Sequence, residues 1–366
     1  MKLIELHILQ SFPVSCLNRD DVGAPKTAIF GGVTRARISS QCLKRAIRQQ
    51  AKEFEPGLFR GERSRLIVDP IAEAAIKSGA PEAAAREAAK KLCNELAVFD
   101  EKALKDKGVR KVKTLMFLSP LEREEIGREL ARLIGEAPDA KALDKKIKSA
   151  AAKVGDAKLK DAADIAIFGR MVATDHSLTV EGAGMFSHAL STHKAENDID
   201  FFTAVDDLQD DDASVEGADR AGSGMMGILE FTSAVYYRFV GLNLDLLSDK
   251  DHLGALPVED RRNALDAFLR ACVLAVPSAR QNSMNAHTVP GYVLGLVREK
   301  GHPLQLVNAF EKPVTSSRNG WMEPSIAALK AHHDQLNKTW GIKPAYSVVV
   351  PDQPFADFLK ELLAHV

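Results

Sequence analysis

The stretch best suited to chemistry lies at residues 34–45 and reads TRARISSQCLKR. Ser39 and Ser40 are typical N-cap residues and predict that a helix begins there. The first turn of a helix is electropositive and favours Asp or Glu, yet this one has no carboxylate, and Lys44 and Arg45 follow closely. Free backbone amides, serine hydroxyls and several cations at one point are typical of a phosphate site. The alternative is an ordinary capped helix with a solvated basic face.

Two further patterns suggest chemistry less strongly. Asp20 and Asp21 are paired carboxylates, which can bind Mg²⁺ for phosphodiester hydrolysis, although a salt bridge with Arg19 or a loop-capping role explains them as well. Residues 222–227 match the dinucleotide-binding pattern G-x-G-x-x-G, but that pattern needs a strand before it and a helix after it. Here an acidic loop precedes and a β-rich segment follows, so we interpret residues 222–227 as a hinge at the base of a hairpin.

The cysteines and histidines indicate neither a metal site nor a redox motif. Four scattered cysteines include no C-x-x-C pair, which fits a reducing compartment. Ten histidines show no metal-ligand spacing, and no G-x-x-x-x-G-K-[ST] phosphate loop is present. The sequence therefore predicts no metal and no cofactor.

The charges are sorted by position, although 49 basic and 50 acidic residues sum to only −1. Residues 1–50 hold eight basic and three acidic side chains, and residues 141–160 hold seven lysines against two aspartates. Residues 196–219 hold ten acidic side chains and no lysine or arginine. Such sorting produces a polar surface field even when the net charge is near zero.

Two smaller groups fit nucleic-acid binding. Lys141, Lys145 and Lys148 share one helical face, and lysines without interleaved aromatic residues favour non-specific attraction of phosphates. A solvated face is the alternative for them. The sequence FFTAV at residues 201–205 places large apolar groups in the acidic segment, where they either pin the segment to the core or wedge against nucleobases, at about 1–3 kcal/mol per base.

Hydrophobic periodicity predicts the elements that position these residues. In order they are a strand at 2–10, a loop at 11–37, a helix from 39 to about 50, an inserted helical domain at about 56–166, an extended hairpin or mobile loop at 195–227, a strand at 229–239, a helix at about 257–276, a strand at 292–297, a helix at 325–339, a strand at 346–350 and a helix at 355–366. Strand, helix, insertion, strand, helix, strand is the order of a ferredoxin-like α+β fold, the scaffold of RNA-recognition modules.

Composition sets the broad class of the protein. A chain of 366 residues has room for two to three domains of ~150 residues, and 45% hydrophobic with 27% charged residues excludes wholesale disorder. No apolar run approaches the ~18–20 residues that cross a bilayer. Glu5 and His7 interrupt the N-terminus where a secretory signal would be apolar. We therefore expect a cytoplasmic globular protein with no membrane partner.

Seven segments carry a family resemblance. They are SCLNRDD at 15–21, AIFGG at 28–32, RISSQ at 37–41, LKRA at 43–46, GRM at 169–171, the stretch at 198–208 and NAFEK at 308–312. In these segments the chain resembles the CasC family, the repeated (Cas-seven-type) backbone subunits of the type I-E CRISPR surveillance complex Cascade. The resemblance covers residues 15 to 312 and is weakest in the helical insertion.

The resemblance implies a right-hand-like subunit that does not catalyse a reaction. Its parts would be a ferredoxin-like, RNA-recognition-motif-like palm at 1–55, 166–194 and 228–366, helical fingers at 56–165 and a hairpin thumb at 195–227. Copies would polymerise head to tail along a CRISPR RNA, together with other Cascade subunits, and present that guide to target DNA. Sequence specificity would then come from Watson–Crick pairing by the guide.

The resemblance also implies which residues contact nucleic acid. The predicted RNA-binding set is Asn18, Arg19, Lys26, Arg35, Arg37, Ser39, Ser40, Gln41, Lys44, Arg45, Arg48, Gly169, Arg170, Met171, Phe202, Thr203 and Val205. Most of these would grip the guide backbone, whereas Met171, Phe202, Thr203 and Val205 would lie near the nucleotide that each thumb kinks out of the stack. The predicted DNA-binding residues are Lys141, Lys145 and Lys148.

An enzyme is the alternative function. Related backbone subunits of type III systems cut RNA with a metal-bound aspartate in a loop, and Asp20 or Asp21 would fill that role here. Metal dependence discriminates the two functions, because hydrolysis needs Mg²⁺ or Mn²⁺ and gripping does not. A scaffold without nucleic acid would leave the cations around Ser39 unexplained.

Overall fold

The computed structural model of the chain describes residues 1–137, 139, 141–147, 159–172, 178–205 and 223–366, and of residues 203–205 and 223–226 the backbone alone. Its strands are β1 Leu3–Ser15, β2 Thr27–Phe30, β3 Val33–Ile38, β4 Glu62–Ser64, β5 Met116–Leu118, β6 Gly184–Phe186, β7 Ala189–Ser191, β8 Asp198–Val205, β9 Ser223–Asn243, β10 Tyr292–Arg298 and β11 Tyr346–Val350. Within the described residues, nine strands form one sheet in the order β11-β10-β1-β9-β7-β3-β2, to which β6 and β8 add by pairing with β9. Every pairing is antiparallel.

Helices flank this sheet and fill the segment between β3 and β6. They are α1 Ser40–Phe54, α2 Val68–Lys77, α3 Glu82–Ala97, α4 Glu101–Lys107, α5 Pro120–Glu136, α6 at 141–147, α7 Ala163–Phe168, α8 Leu244–Leu247, α9 Val258–Leu274, α10 Gln281–Met284, α11 Met322–Trp340 and α12 Phe355–Leu363. No helix in the described part of the chain is long and apolar enough to span a membrane. The expectation of a fold that mixes helices with an antiparallel sheet is confirmed.

β1 lies in the middle of the sheet and is covered on both faces. Ile4, Leu6 and Ile8 face the core that α1, α9 and α12 close, whereas Leu9 faces a second core that α11 closes. The second face also buries Glu5, whose carboxylate accepts hydrogen bonds from Arg298 Nε and from a backbone N–H, both at 2.7 Å. Because that face holds paired polar groups, the strand alternates in sequence although both of its sides are buried.

Helices α2, α3 and α5 pack around a separate apolar cluster in the segment between β3 and β6. Alanine is abundant in it, which lets the helices approach closely. Gly127 of α5 is an example, because an added Cβ would lie 2.4 Å from the Cβ of Ala74 in α2. The described part of the segment at 56–166 is thus mainly helical, as expected, and also contains the short β4–β5 pair. The division into palm, fingers and thumb stays a prediction.

Most predicted elements are present, some with longer bounds. α1 ends four residues beyond the predicted end, β9 is much longer than the predicted strand, and the last four elements are close to their expected positions. The described part of 195–227 forms a hairpin from β8 and β9, one of the two outcomes expected for it. Residues 223–227 belong to β9, so their interpretation as a hinge is wrong.

The loop predicted at 11–37 is wrong. β1 continues to Ser15, and β2 and β3 form a hairpin across Gly31 and Gly32. Both glycines have positive φ (60° and 76°), as a two-residue hairpin turn requires. This hairpin matters for the site because it ends at the residue that caps α1.

Candidate nucleic-acid interface

α1 begins where the sequence predicts, with Ser39 as its N-cap residue. The hydroxyl oxygen of Ser39 accepts a hydrogen bond from the backbone N–H of Cys42 at 3.4 Å, and the first turn holds no acidic residue. The Asn18 side chain accepts a hydrogen bond from the Ser39 N–H at 2.8 Å, and the Ser40 N–H donates to His188 Nδ1 at 3.3 Å. Because Ser39 is buried, its hydroxyl serves the cap, while Asn18 ties the preceding loop to the helix end.

The β2–β3 hairpin and the loop before it bring cations to this helix end. The Arg37 N–H donates to the Lys26 carbonyl at 2.8 Å, and Arg37 Nε donates to the Thr27 carbonyl at 3.0 Å. Partial burial lowers the pKa of His188, and the nearby charges of Arg37 and Lys26 lower it further. Arg19 is exposed in the same loop. These cations therefore flank the electropositive end of α1, where a phosphate would be held.

The polar face of α1 continues this basic surface. It carries Gln41, Lys44, Arg45 and Arg48, which recur at spacings of three and four residues and therefore share one face. Gln41 and Arg45 are exposed, and the opposite face packs into the sheet core. Among the described residues, none of the three cations forms a salt bridge or a hydrogen bond through its side chain. A stretch of unpaired cations along one helix face suits a polyanion.

Aromatic rings support two of these cations. Lys44 Nζ lies 5.1 Å from the centre of the Phe186 ring, and the Arg48 guanidinium lies 5.1 Å from the centre of the Phe117 ring, both within cation–π range. Burial lowers the pKa of the Lys44 ammonium. Burial also lowers the pKa of the Arg48 guanidinium, which the carboxylate of Asp164 partly offsets. Partly desolvated cations bind an anion more strongly than fully hydrated ones.

Asp164 lies beneath Arg48 at the start of α7. Burial raises the pKa of its carboxyl group to about 6, although Arg48 and the backbone N–H groups of Gly61 and Ile165 oppose that rise. Oδ1 accepts the Gly61 N–H at 3.2 Å, whereas Oδ2 is buried without a hydrogen-bond partner in the described structure. The carboxylate thus provides the counter-charge that holds Arg48 in a half-buried position.

Arg35, a member of the predicted RNA-binding set, has structural contacts in the fold. Its side chain is completely buried. The guanidinium donates to the carbonyls of Phe30, Ser191 and Phe310 at 3.1, 3.0 and 2.8 Å. A guanidinium with these acceptors joins β3 to β7 and to the 3₁₀ turn at Val307–Phe310, and it has no surface from which to contact RNA.

Arg170, another member of the predicted RNA-binding set, also joins elements of the fold. It is 5% exposed and forms an ion pair with Glu122 at 2.6 Å. Its Nε donates to the Leu178 carbonyl at 2.7 Å, and Nη1 donates to the Phe117 carbonyl at 3.2 Å. Arg170 therefore anchors α5 and β5 to the segment after α7, and its contact with RNA stays a prediction.

The neighbours of Arg170 line an open cleft. Gly169 has φ of 77°, and a Cβ there would lie 3.0 Å from the backbone of Gly182, so the turn needs a glycine. Met171 follows with 82% of its surface exposed, an unusual position for methionine. It borders a cleft of about 560 Å³ together with Leu115 and Phe117 of the β5 region. Apolar side chains beside a basic surface can bind a nucleobase that has left its stack.

The β8–β9 hairpin presents its two phenylalanines on opposite faces. Phe202 pairs with Gly227, and its ring lies so close that a Cβ on Gly227 would be 2.4 Å from Cζ. Phe201 points the other way and is 70% exposed. Thr203 and Val205 pair through their backbones, and their side chains lie outside the described structure. Phe202 therefore shields a glycine in this structure and is also 40% exposed to a ligand.

The lysines predicted to bind DNA are only partly described. Lys141 and Lys145 are exposed on α6, whereas Lys148 lies outside the described residues. Asp144, between the two, pairs with Lys91 of α3 at 2.6 Å. Contact of these lysines with DNA stays a prediction.

The paired carboxylates at 20–21 have a local role. Asp20 Oδ1 accepts hydrogen bonds from the backbone N–H groups of Val22 and Ala24, both at 3.0 Å. The loop-capping interpretation is thus confirmed for Asp20, and Asp21 is exposed beside it. Among the described residues, no group of three or more His, Cys, Asp or Glu side chains is placed to hold a metal ion.

Sequence reasoning missed the aromatic floor of this interface. Phe117 lies in a three-residue strand and Phe186 in another, both too short to show a period. Arg63, which also contacts Phe117, was not singled out for the same reason. No local signal identifies these residues, because it is the pairing of β4 with β5 and of β6 with β9 that brings them to α1.

Comparison with known proteins agrees with this geometry. The chain is similar over 99% of its length to 99% of a chain of a "CRISPR RNA-guided surveillance complex, pre-nicking", with 25% identity and a TM-score of 0.80. A second structure, "CRISPR RNA-guided surveillance complex", matches in fold at 22% identity and a TM-score of 0.70, with complete coverage of both chains. No curated protein matches by sequence. The model of one family, described as CT1975-like protein, matches residues 4–362, and the chain therefore belongs to the CT1975-like family.

Proposed function

We propose that this chain is a non-catalytic, CRISPR RNA-binding backbone subunit of a type I-E Cascade surveillance complex, of the CasC (Cas-seven) type. One observation carries the proposal: the polar face of α1 presents unpaired cations that continue from a helix N-terminus without any carboxylate. Phosphate contacts of this kind position a strand without reading its sequence. The likeness in fold to chains of RNA-guided surveillance complexes supports the same role.

The palm of this subunit is ferredoxin-like in our proposal. β1, α1, β7, β9, α9 and β10 follow the strand–helix–strand–strand–helix–strand order of that fold, and β10, β1, β9 and β7 are neighbours in the sheet. The helical segment at 56–165 would form the fingers, and the β8–β9 hairpin would form the thumb. Its cytoplasmic location stays a prediction from composition.

In this proposal copies of the chain join head to tail along the guide. A heterologous contact that repeats without closing a ring gives such a filament. We propose that the acidic thumb of one copy docks on the basic palm edge or fingers of the next. Charge reversal of Asp210, Asp211 and Asp212, which lie outside the described residues, should then prevent assembly on RNA. Unchanged assembly of that variant on RNA, in sedimentation runs, would contradict this docking.

Target DNA pairs with the guide in this proposal, and the finger lysines attract the duplex. Neutralising Lys141, Lys145 and Lys148 should weaken binding of target DNA to the guide-loaded complex and leave guide binding unchanged. An equal loss of both would contradict the assignment of these lysines to DNA.

The decisive experiment distinguishes RNA binding from RNA cleavage. The purified protein is mixed with end-labelled single-stranded RNA and run on native and denaturing gels, first with EDTA and then with Mg²⁺. We expect a metal-independent ladder of shifted species with intact RNA, since each copy loads beside the last. Metal-dependent fragments that disappear in Asp20→Ala or Asp21→Ala would instead make the protein a nuclease of type III character. The hydrogen bonds of Asp20 to its own loop support the non-catalytic assignment.

A further inference from the structure

A third cation joins Lys44 and Arg48 at the junction of α1 with the β4–β5 strand pair. Arg63 of β4 is the direct cross-strand partner of Phe117 in β5, so both side chains lie on the same face of this two-stranded sheet. The Arg63 guanidinium lies 4.6 Å from the centre of the Phe117 ring, and the Arg48 guanidinium lies 5.1 Å from the same centre. The Phe117 ring thus contacts cations from two elements, α1 beside the main sheet and β4 of the helical segment.

The three cations are close enough to repel one another. The charge of Arg63 lowers the pKa of both Lys44 and Arg48, in addition to the larger effect of burial. Lys44 and Arg48 are four residues apart on α1 and therefore lie on the same face of the helix. Among the described residues, Asp164 is the one carboxylate that raises the pKa of Arg48, and no carboxylate contributes to the pKa shift of Lys44. Three cations against one carboxylate leave an excess of positive charge that an anion would neutralise.

Arg63 differs in this respect from the other arginines of the helical segment. Most of them have a carboxylate partner within 4.0 Å: Arg60, Arg65, Arg86, Arg110, Arg123 and Arg132. Its neighbour Glu62 pairs with Arg123, on the opposite face of the strand. Within the described residues Arg63 has no hydrogen bond and no ion pair, only the Phe117 ring. An exposed guanidinium held on a ring and left without an acid is prepared to bind an external anion.

We propose that Arg63, Lys44 and Arg48 form a single phosphate-binding site, which takes a phosphodiester of the bound RNA at the junction of α1 and the β4–β5 strand pair. Arg63 is the unassigned member of this site, and the inference rests on the proposed RNA-binding function. The rings of Phe117 and Phe186 orient the cations from behind, so the phosphate meets a preformed set of donors. The site therefore couples the helical segment to the RNA that α1 holds.

The test measures the affinity of the protein for single-stranded RNA of one defined sequence, and how that affinity depends on salt concentration. Arg63→Gln should weaken binding roughly tenfold, because a charge-assisted phosphate contact is lost. The slope of log K against log salt should become shallower by about 0.7 per bound copy, the value for one phosphate contact on a single strand. Arg63→Lys should restore the slope but only part of the affinity, because it keeps the charge and loses the flat stack on Phe117.

The matched control is Arg128→Gln, which removes an exposed arginine of α5 that also has no ion pair within the described residues and lies in another groove. It should leave affinity and slope unchanged. If the native protein fails to bind RNA at all, the proposed function fails. If the native protein binds RNA and Arg63→Gln binds equally well with the same slope, the RNA-binding function stands and the three-cation site is overturned. Equal behaviour of Arg63→Gln and Arg63→Lys would also overturn it, as would a loss confined to duplex DNA.

Discussion

Asp164→Asn should make the protein less sensitive to pH and more stable at neutral pH. In the folded state the Asp164 carboxyl has a pKa of about 6, mainly because it is buried, whereas an unfolded chain gives aspartate a pKa of about 3.9. Ionised Asp164 therefore costs folding free energy above pH 6. That cost disappears as the pH falls, because the folded state takes up a proton at a pH where the unfolded state does not.

The two pKa values set the size of the effect. Between pH 7.5 and pH 4.5, proton linkage at this one carboxyl adds about 2 kcal/mol to the free energy of unfolding as the pH falls. Asparagine cannot titrate, and its side-chain oxygen can still accept the N–H groups of Gly61 and Ile165 that Oδ1 of Asp164 accepts. The advantage of Asp164→Asn over the native protein should thus be about 2 kcal/mol larger at pH 7.5 than at pH 4.5. Other titrating groups are common to both proteins and cancel in this comparison.

Urea unfolding followed by tryptophan fluorescence provides the assay. Trp321 and Trp340 lie at the two ends of α11, which packs on the main sheet, and Ile165 and Ile167 beside Asp164 belong to the core of that same sheet. The fluorescence transition therefore reports the unit in which Asp164 is buried. The reasoning is refuted if the difference between the two proteins is the same at both pH values within about 0.5 kcal/mol, since the carboxyl would then titrate alike in both states.

Five further substitutions test the assignments of individual residues by the same urea assay. Arg35→Met should lower the free energy of unfolding by about 3–5 kcal/mol, because buried carbonyls lose their donor. Arg37→Met, nearer the surface, should change it by less than about 1 kcal/mol. Similar values for the two variants would contradict the burial of Arg35. Gly127→Val should cost more than about 2 kcal/mol, since its Cβ would overlap Ala74, and a neutral result would contradict the close contact of α2 and α5. Ser39→Ala should cost about 1 kcal/mol through loss of the cap, and Ser39→Asp should recover it.

The elements that sequence predicts well are those whose own residues determine them. α1 has a serine cap and an apolar stripe at helical spacing, and α9 buries residues at the same spacing, so both could be placed within a few residues. The β2–β3 hairpin was missed because β2 is four residues long and only half-buried, which weakens the alternation that marks a strand. Gly31 and Gly32 were the available signal, since two adjacent glycines between short β segments favour a tight hairpin turn.

The candidate site was predictable in position but not in the role of each arginine. Arg35 and Arg37 are two residues apart on β3 and point to the same side of the strand, yet only Arg35 is buried. Its acceptors come from β7 and from the turn at Val307–Phe310, more than 150 and 270 residues away in the chain. Arg170 is buried by contact with Glu122, 48 residues earlier in the chain. A charge count treats all such arginines alike, because burial by a distant segment leaves no local pattern.

The hydrogen bonds and ion pairs of each cation therefore determine its role, more than the number of cations or their positions in the sequence. Arginines that already have carboxylate or carbonyl partners, such as Arg35 and Arg170, join elements, and their loss should lower stability. Cations without such partners in the described structure, such as Arg45 and Arg63, form no ion pair that stabilises the fold. They are therefore available to bind an external anion. These unpaired cations occur along α1 and the strand that faces it, so a chain with a net charge of −1 still offers a continuous basic path. Substitution along that path should change the salt dependence of RNA binding while leaving stability unchanged, and the reverse should hold for the paired arginines.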